Sequence, residues 1–514
     1  GGGGKKKKKK KKKKGGCQEG KKYIHFYVYF VSSLYVIYIY KGDIESMIFL
    51  ETLRQLKFDV GSQHFCLIHV SLIPALGADG EMKSKPTQHS VKALREAGLI
   101  PDMIVCRSTQ PISASIRKKI SLFSMVPPDR VLSVHDVPNI YAVPRLLLQQ
   151  NICSLILQSL HIHDATPPLQ VQDFDLLDFK LQHCHEEVVI GIVGKYTGLS
   201  DSYISLTKAL TTAALACDLK LTLMWIESTD LESLPIVPTD GDLITDPSKE
   251  LTNEHPEKTK EISSKTKEES EENKEENDNG PLQKYARAWK SLESVDGILI
   301  PGGFGDRGIE GKILAIEYAR THKKPFFGIC LGMQCAVIEY ARHICNLKNA
   351  NSAEFDPTTQ NKVVICMPDI SSSHLGGTMR LGAKTCHLQS DSIAYDCYQS
   401  TKISERHRHR YEVNPKFVKE LESQGLLFTG KDESGERMEI VELPKDKHPF
   451  YFACQFHPEF KSGPTRNSPP FLGFIQNSGK EISSKVVTGT KKNDETISDT
   501  LAKNDNKGKT DYQK

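Results

Sequence analysis

The chain has 514 residues, of which 38% are hydrophobic and 26% charged, a balance typical of a globular protein with two or three domains. Its net charge of +4 depends on ten consecutive lysines at 5–14, so the remainder is net negative and indicates no nucleic-acid-binding surface. The thirteen cysteines include no C-x-x-C pair, which argues against a disulfide framework and favours free thiols in a reducing cytoplasm.

Residues 1–41 form a lead-in that we assign to neither domain. They contain the glycine and lysine runs and an apolar, tyrosine-rich segment at 23–40. That segment just reaches the length of about 18–20 residues that a membrane span needs, and a basic flank precedes it. Tyrosines at its centre argue against a span, and we expect none. A membrane-tethered form is the alternative.

Strands and helices alternate from residue 42 onward. Apolar runs predict strands at 65–70, 103–106 and 131–134. Amphipathic runs predict helices at 90–96 and 116–123. Such alternation is typical of a parallel α/β sheet. We therefore predict a first α/β domain at 42–165, followed by a linker at 166–187 around Thr166-Pro167-Pro168.

A second α/β domain is predicted at 188–478. It opens with an apolar strand at Val188, and a helix follows at 203–216. Within it, residues 246–280 are a Lys/Glu/Ser/Asn tract with few apolar side chains, which predicts a disordered insertion. The polar tail at 479–514 is predicted to be disordered for the same reason.

A glycine-rich turn, P-G-G-F-G at 301–305, follows an apolar strand. Its backbone amides could bind a developing oxyanion together with the amide of Leu331. The turn contains no G-x-x-x-x-G-K-[ST], so it is not a Walker A phosphate loop.

The next apolar strand ends in G-I-C-L-G-M-Q at 328–334. A cysteine between two glycines at a strand-to-helix junction is the pattern of a nucleophile elbow. The helix N-terminus at Cys330 favours a thiolate, which is the reactive form of the side chain.

A third strand ends in Q-F-H-P-E at 455–459. His457 could accept and return a proton, and Glu459 could orient the imidazole ring. A lone cysteine after a strand is usually a core residue, and a lone H-P-E is usually a turn. Their joint occurrence with the glycine-rich turn favours a catalytic triad of Cys330, His457 and Glu459.

These three strings, in this order, resemble the class I glutamine amidotransferases. Further strings resemble the CTP synthases in particular: G-D-I-E-S at 42–46, K-S-K-P-T-Q at 83–88, N-S-A-E-F-D at 351–356, G-G-T-M-R-L-G at 376–382 and E-R-H-R-H-R-Y-E-V-N at 405–414. The resemblance spans about 42–473. It implies an α/β fold with mainly parallel sheets, made of a truncated Rossmann-like amidoligase domain and a class I glutamine amidotransferase domain.

The resemblance implies a role for each matching residue. Cys330, His457 and Glu459 match the catalytic triad. The positions that match the glutamine site are Gly303, Leu331, Gly332, Met333, Gln334, Glu354 and Arg410. The positions that match the nucleotide sites are Asp43, Ile44, Glu45, Lys83, Ser84, Lys85, Pro86, Thr87, Gln88, Lys119, His135, Asp136 and Val137. Without the resemblance, these lysines would be taken as ordinary surface lysines.

The implied activity is the ATP-dependent amination of UTP to CTP with ammonia from glutamine, a step of pyrimidine nucleotide synthesis. Implied ligands are glutamine, UTP, ATP and Mg²⁺, with GTP as activator and a homotetramer as the assembly. None of these ligands is expected to be tightly bound. We predict no metal at the two histidines of 407–409, since two histidines two positions apart, without an accompanying set of cysteine or carboxylate ligands, do not indicate a metal site.

The chain departs from the family at its start. The family's phosphate-binding loop has no counterpart, and Val36 stands where a glutamate Mg²⁺ ligand is expected. We therefore expect the family's metal ligands to be absent, the synthase half to be inactive in this chain, and the tetramer to be in doubt. The alternatives left open are a chain that retains only glutaminase activity, another amidotransferase, and a non-catalytic regulatory subunit of a CTP synthase assembly.

Overall fold

The computed structural model describes residues 44–76, 80–162, 171–195, 197, 200–232, 280–367 and 379–479. Outside these residues lie the lead-in at 1–41, Asp43 and residues 376–378 of the G-G-T string. The predicted insertion and tail also lie outside them, apart from Gly280 and Gly479. The described residues form two compact units that divide between Val171 and Gln172. The predicted domain limits stay predictions.

The first unit is built on a three-stranded parallel sheet. Its helices are α1 Ile44–Val60, α2 Lys85–Glu96, α3 Ala114–Ser124, α4 Val143–Leu148 and α5 Ile152–Ser159. Its strands are β1 Ile68–Leu72, β2 Ala75–Leu76, β3 Glu81–Met82, β4 Met103–Arg107 and β5 Val131–Val134. The sheet order is β1-β4-β5, and β2 and β3 form a separate antiparallel pair.

The first strand begins later than the apolar run at 65–70 predicts. Pairing with β4 begins at Ile68, because Asp102 just before β4 accepts a hydrogen bond from the Leu67 amide at 2.7 Å and so ends the ladder there. The predicted linker also differs from the structure, since it contains helix α6, Gln172–His183. Asp173 and Asp175 lie in its first turn and Lys180 and His183 in its last, which complements the helix dipole.

The second unit is organised around a nine-stranded mixed sheet. Its helices after α6 are α7 Ile204–Ala216, α8 Pro281–Ser294, α9 Ile309–Thr321, α10 Leu331–His343, α11 Ile393–Tyr398, α12 Pro415–Ser423 and α13 Pro469–Ser478. Its strands are β6 Glu187–Gly194, β7 Lys220–Glu227, β8 Gly297–Ile300, β9 Phe326–Ile329, β10 Asn351–Ser352, β11 Lys362–Cys366, β12 Arg380–Leu388, β13 Lys402–His409, β14 Tyr411–Val413, β15 Leu427–Lys431, β16 Met438–Glu442 and β17 Tyr451–Cys454.

The large sheet has the order β13-β12-β15-β16-β17-β9-β8-β6-β7. The five strands from β17 to β7 pair in parallel, and the four from β13 to β16 pair antiparallel. Strands β10, β11 and β14 form a small second sheet. The predicted α/β class is confirmed, and the antiparallel half is an addition that the sequence patterns did not predict.

Both faces of the large sheet are covered, so its central strands are apolar on both sides. Along β9, Phe326 packs into the cluster formed with α8, α9 and α10, whereas Phe327 and Ile329 pack on the opposite face with α7 and α13. These strands therefore hold their carboxyl ends in fixed positions at one edge of the sheet.

Among the described residues, no single helix is long and apolar enough to cross a bilayer. One bent pair, Ile140–Leu148 and Ile152–Ser159, passes the length and composition criteria only when joined across a 63° bend. The tyrosine-rich segment at 23–40 lies outside the described residues.

Candidate active site

Cys330 occupies a strained turn between β9 and α10. Its backbone has φ 53° and ψ −98°, in a region that side chains other than glycine rarely adopt. Its N–H donates to the Cys454 carbonyl at 2.7 Å, and its own carbonyl accepts from the amides of Met333 and Gln334 at 3.1 and 3.2 Å. The turn thus ends the strand and begins the helix at one residue, which places the thiol at the helix N-terminus.

The two glycines around Cys330 are required by close approach. A Cβ on Gly328 would lie 2.9 Å from the Ala453 Cβ and from the Gly332 backbone. A Cβ on Gly332 would lie 2.3 Å from the Ile300 carbonyl oxygen. Neither neighbour is the end of a flexible side chain, so the elbow accepts only glycine at both positions.

We expect Gly332→Ala to lower the free energy of unfolding by about 3 kcal/mol or more, because the new methyl group must displace strand β8 backbone. The measurement is the urea midpoint of this variant against the parent chain. Gly463→Ala is the matched control, since a Cβ there meets nothing within 4 Å. Equal midpoints for the two variants would contradict the packing argument.

The structure brings Cys330, His457 and Glu459 together. His457 follows β17, the strand that pairs in parallel with β9, and its Nδ1 is hydrogen-bonded to Glu459 Oε1 at 2.8 Å. The ring also faces the Cys330 side chain, and the interaction between the two raises the pKa of the imidazole. A Cβ built on Gly302 would lie 2.8 Å from His457 Cε1 and 3.5 Å from Cys330 Cβ, so the glycine-rich turn borders both side chains.

Cys330 and Glu459 together determine the charge of His457. Burial lowers the pKa of the imidazole, whereas its interactions with Cys330 and Glu459 raise it, and the net result is a rise from 6.5 to about 10. The ring is therefore an imidazolium at neutral pH. It lies between a sulfur and a carboxylate, the arrangement that a cysteine nucleophile with a histidine acid and base requires.

The glycine-rich turn is held from two sides. Lys195, at the end of β6, donates from Nζ to the carbonyls of Phe304 and Gly305 at 3.1 and 2.8 Å. On the other side is Glu354: burial raises the pKa of its carboxyl, and the Gly305 backbone lowers it. The sequence interpretation missed Lys195. Its position directly after the apolar run at 188–194 is the sequence feature that could have identified it.

Most residues predicted to bind glutamine lie close to Cys330. Leu331, Gly332, Met333 and Gln334 form the buried first turn of α10, and a Cβ on Gly303 would touch Leu331 Cδ2 at 3.3 Å. Arg410 joins β13 to β14, and its charge acts on the carboxyl of Glu354. Gln455, which the sequence interpretation also missed, contacts the Cys330 sulfur. Its position at the start of the Q-F-H-P-E string, two residues before His457, could have identified it as a site residue.

The two histidines of 407–409 have a carboxylate beside them that the sequence prediction did not foresee. His407 Nδ1 lies 3.1 Å from His409 Nε2 and 3.5 Å from Glu439 Oε2, so the three could share a metal ion by spacing. Burial lowers the pKa values of His407 and His409 to about 2 and 3. A hydrogen bond between two neutral rings accounts for the spacing, which by itself identifies no metal.

The predicted nucleotide residues lie in the first unit. Lys83 forms an ion pair with Glu81, and the charge of Lys119 acts on the same glutamate, so the two lysines share one side of the unit. Lys85 and Pro86 are exposed at the start of α2. These positions leave basic groups accessible to an anionic ligand.

Other predicted nucleotide residues contact protein groups. Thr87 is fully buried, with its Oγ1 2.8 Å from the Ser71 hydroxyl, and Gln88 donates to the Ser84 hydroxyl at 3.1 Å. The side chain of Thr87 is therefore part of the packing between α2 and β1. This arrangement argues against a contact between the Thr87 side chain and a nucleotide.

The remaining predicted residues are divided between the sheet edge and the chain start. His135, Asp136 and Val137 follow β5, and Asp136 forms an ion pair with Arg107 at the end of β4. The carboxyl ends of parallel strands are the usual ligand edge of such sheets. Ile44 and Glu45 begin α1, but their side chains lie outside the described set, as does Asp43.

Comparisons with known proteins match both units. The family model for the CTP synthase N-terminus matches residues 38–162, and that for class I glutamine amidotransferase matches 199–477. CTP synthase of Dictyostelium discoideum is 46% identical over 454 residues, covering 84% of this chain and 72% of that protein. Human CTP synthase 1 is 43% identical over 455 residues, covering 87% of this chain and 69% of that protein.

A solved structure is also similar. The glutaminase domain of Trypanosoma brucei CTPS with bound acivicin is 32% identical, covers 57% of this chain and 94% of that one, and has a TM-score of 0.45. The sequence identity to full-length relatives extends over both units and over more than two thirds of their length. The chain therefore belongs to the CTP synthase family, the glutamine-hydrolysing ligases that combine an amidoligase domain with a class I glutamine amidotransferase domain.

Proposed function

We propose that the second unit hydrolyses glutamine at Cys330 and that the ammonia serves the ATP-dependent amination of UTP to CTP. The observation that carries the proposal is the placement of His457 between Cys330 and Glu459: the ring borders Gly302 together with Cys330, and its Nδ1 is hydrogen-bonded to Glu459 Oε1 at 2.8 Å. The free thiols of the twelve described cysteines fit a reducing compartment, and we place the activity in the cytoplasm.

The geometry supports a two-step hydrolysis. The Cys330 sulfur attacks the side-chain carbonyl carbon of glutamine, and the amides of the glycine-rich turn and of Leu331 bind the oxyanion. His457 donates its proton to the leaving nitrogen, so ammonia departs and a thioester remains. His457 then accepts a proton from water, which attacks the thioester and releases glutamate and the thiolate.

The ends of the glutamine substrate would be bound by opposite charges. The carboxylate of Glu354 would pair with the α-ammonium group, and the guanidinium of Arg410 would bind the α-carboxylate through two hydrogen bonds. The electrostatic effect of Arg410 on Glu354 supports their placement at one site.

We expect Arg410→Ala to raise the KM for glutamine about 10- to 100-fold with a smaller change in kcat, because the lost hydrogen bonds act on substrate and transition state alike. Steady-state glutamate release gives both constants. Arg410→Lys is the matched variant, since it keeps the charge without the paired donors, and its KM should be intermediate. An unchanged KM in Arg410→Ala would remove Arg410 from the site.

The first unit would bind the nucleotides. Lys83, Lys85 and Lys119 suit triphosphate oxygens, and His135 and Asp136 lie at the ligand edge of the sheet. Bound ATP and Mg²⁺ would supply the phosphoryl transfer that activates UTP. No three His, Cys, Asp or Glu side chains come within metal-binding distance of one another in the part of this unit that the structure describes, so no Mg²⁺ ligand is assigned. GTP activation and a homotetramer are proposed from family membership.

The test is an assay of the full chain with glutamine, UTP, ATP, Mg²⁺ and GTP, in which glutamate and CTP are both quantified. The proposal predicts glutamate release that depends on Cys330, with CTP formed in proportion, whereas the inactive synthase half expected from the sequence predicts glutamate without CTP. Absence of glutamate release would overturn the assignment of the second unit. Glutamate without CTP, under conditions where a full-length relative makes both, would overturn the synthase assignment.

A further inference from the structure

Gln455 lies two residues before His457 and is fully buried. Its backbone amide donates to the Glu439 carbonyl at 2.9 Å, which fixes the residue at the end of β17. Its side-chain nitrogen, Nε2, lies 3.6 Å from the Cys330 sulfur and is oriented as a donor toward it. The sulfur thus has a second polar neighbour besides the imidazole, and this neighbour carries no charge.

The orientation of this amide is determined by its neighbours. Gln334 Nε2 donates to the Tyr411 carbonyl at 3.0 Å and to Gln455 Oε1 at 3.2 Å. A backbone carbonyl can only accept, so Gln334 must present its NH₂ group at this point. That group holds the oxygen of Gln455, which leaves the NH₂ group of Gln455 facing Cys330. A reversed amide would place two acceptors or two donors against each other.

A donor at this position favours the charged form of the thiol. A hydrogen bond to the ionised form of a group stabilises that form, and the effect is stronger where water is excluded. Cys330 is 6% exposed, and both glutamines are buried. The bond therefore operates in a site where few water molecules could replace it.

We propose that Gln455 is a catalytic residue, whose side-chain amide donates a hydrogen bond to the Cys330 sulfur and stabilises the thiolate, and that Gln334 is the positioning residue that orients it. The proposal rests on the glutaminase function proposed above. It assigns Gln334 a role through its side chain that is separate from any contact of its backbone with glutamine.

The test measures the reactivity of Cys330 at a series of pH values without glutamine. The full chain and Gln455→Met are treated with iodoacetamide, and alkylation of the Cys330 peptide is followed by mass spectrometry. Methionine has a similar length but donates no hydrogen bond. We expect the midpoint of the pH–rate curve to move up by about one pH unit, since a hydrogen bond to a charged group has a strength of that order.

Steady-state kinetics give a second measurement. In Gln455→Met, kcat for glutamate release should fall about tenfold, and the KM for glutamine should change less, because the lost bond acts on the nucleophile. Gln455→Glu keeps the shape and brings a carboxyl toward the thiolate, so its midpoint should rise further. It carries the test if the methionine variant does not fold. Gln389→Met, which removes an amide donor to the Phe428 carbonyl, should leave the midpoint unchanged.

An unchanged alkylation midpoint in a folded Gln455→Met or Gln455→Glu variant would overturn the proposal, even if activity fell, because it would show that Gln455 acts only through packing. The alkylation assay contains no substrate. A parent chain that releases no glutamate would refute the glutaminase function, whereas the midpoints would still decide whether Gln455 acts on the sulfur.

Discussion

Replacement of Cys330 by alanine is expected to abolish glutamine hydrolysis, with a fall in kcat on the order of 10⁶-fold, as for other nucleophiles that act in a catalytic unit. Alanine removes only the sulfur and keeps the Cβ, so the strained turn and the packing around it should persist. Glutamate release measures the loss, and thermal stabilisation by added glutamine should show that binding remains.

Cys335 provides the control for this experiment. It lies one turn further along α10 and is fully buried, and burial raises the pKa of its thiol to about 11, so it is a poor nucleophile. Cys335→Ala should reduce stability slightly and leave turnover near the parent value. Sustained hydrolysis by Cys330→Ala would refute the nucleophile assignment.

Glu459→Gln is expected to lower kcat about 10³- to 10⁴-fold. The carboxylate orients the imidazole and stabilises its charge, and loss of the corresponding group in a serine protease triad has an effect of this size. Glutamine can still accept a hydrogen bond from Nδ1, but it provides no charge. The expected loss is therefore chemical rather than structural, and Glu436→Gln, at an exposed position, is the control.

The pH dependence of this variant has a definite sign. The pKa of His457 is raised from 6.5 to about 10, and Glu459 is one of the groups that raise it. Without the carboxylate, this pKa falls, so the alkaline limb of kcat/KM should move to lower pH. The pairing also stabilises the fold fully below about pH 6.5 and is lost as the pH approaches 10. An alkaline limb that does not move would contradict this role for Glu459.

The convergence of Cys330 and His457 could be predicted because each follows a continuous apolar strand within a distinctive sequence string. Cys330 and His457 are 127 positions apart, yet both lie at carboxyl ends of parallel strands, where a single rule brings side chains together. Strands β4 and β5 were predicted to within a residue for a similar reason, since their apolar runs are buried on both faces.

Contacts that depend on antiparallel pairing could not be predicted. Glu439 approaches His407 only because β12 connects β13 to β15 and β16 follows, and no local pattern specifies that order. Helix α6 was missed because the linker was inferred from Thr166-Pro167-Pro168 and extended to residue 187, although the charges of 172–183 suit the ends of a helix. The contact of Gln455 with the sulfur depends on a side-chain orientation that Gln334 imposes from another element.

The direct pairing of β9 with β17 has a consequence for how this unit tolerates change. Ile329 is in register with Cys454, so sulfur and imidazole are separated by a distance that the sheet ladder sets, independently of any connecting segment. Insertions in the loops between β9 and β17 should therefore leave the distance between the Cys330 sulfur and the His457 ring unchanged, provided that the register of the two strands is kept. Circular permutation or insertion of a reporter domain in those loops should preserve glutamine hydrolysis. Deletion of a single residue inside β17 should abolish it, because it shifts the register with β9.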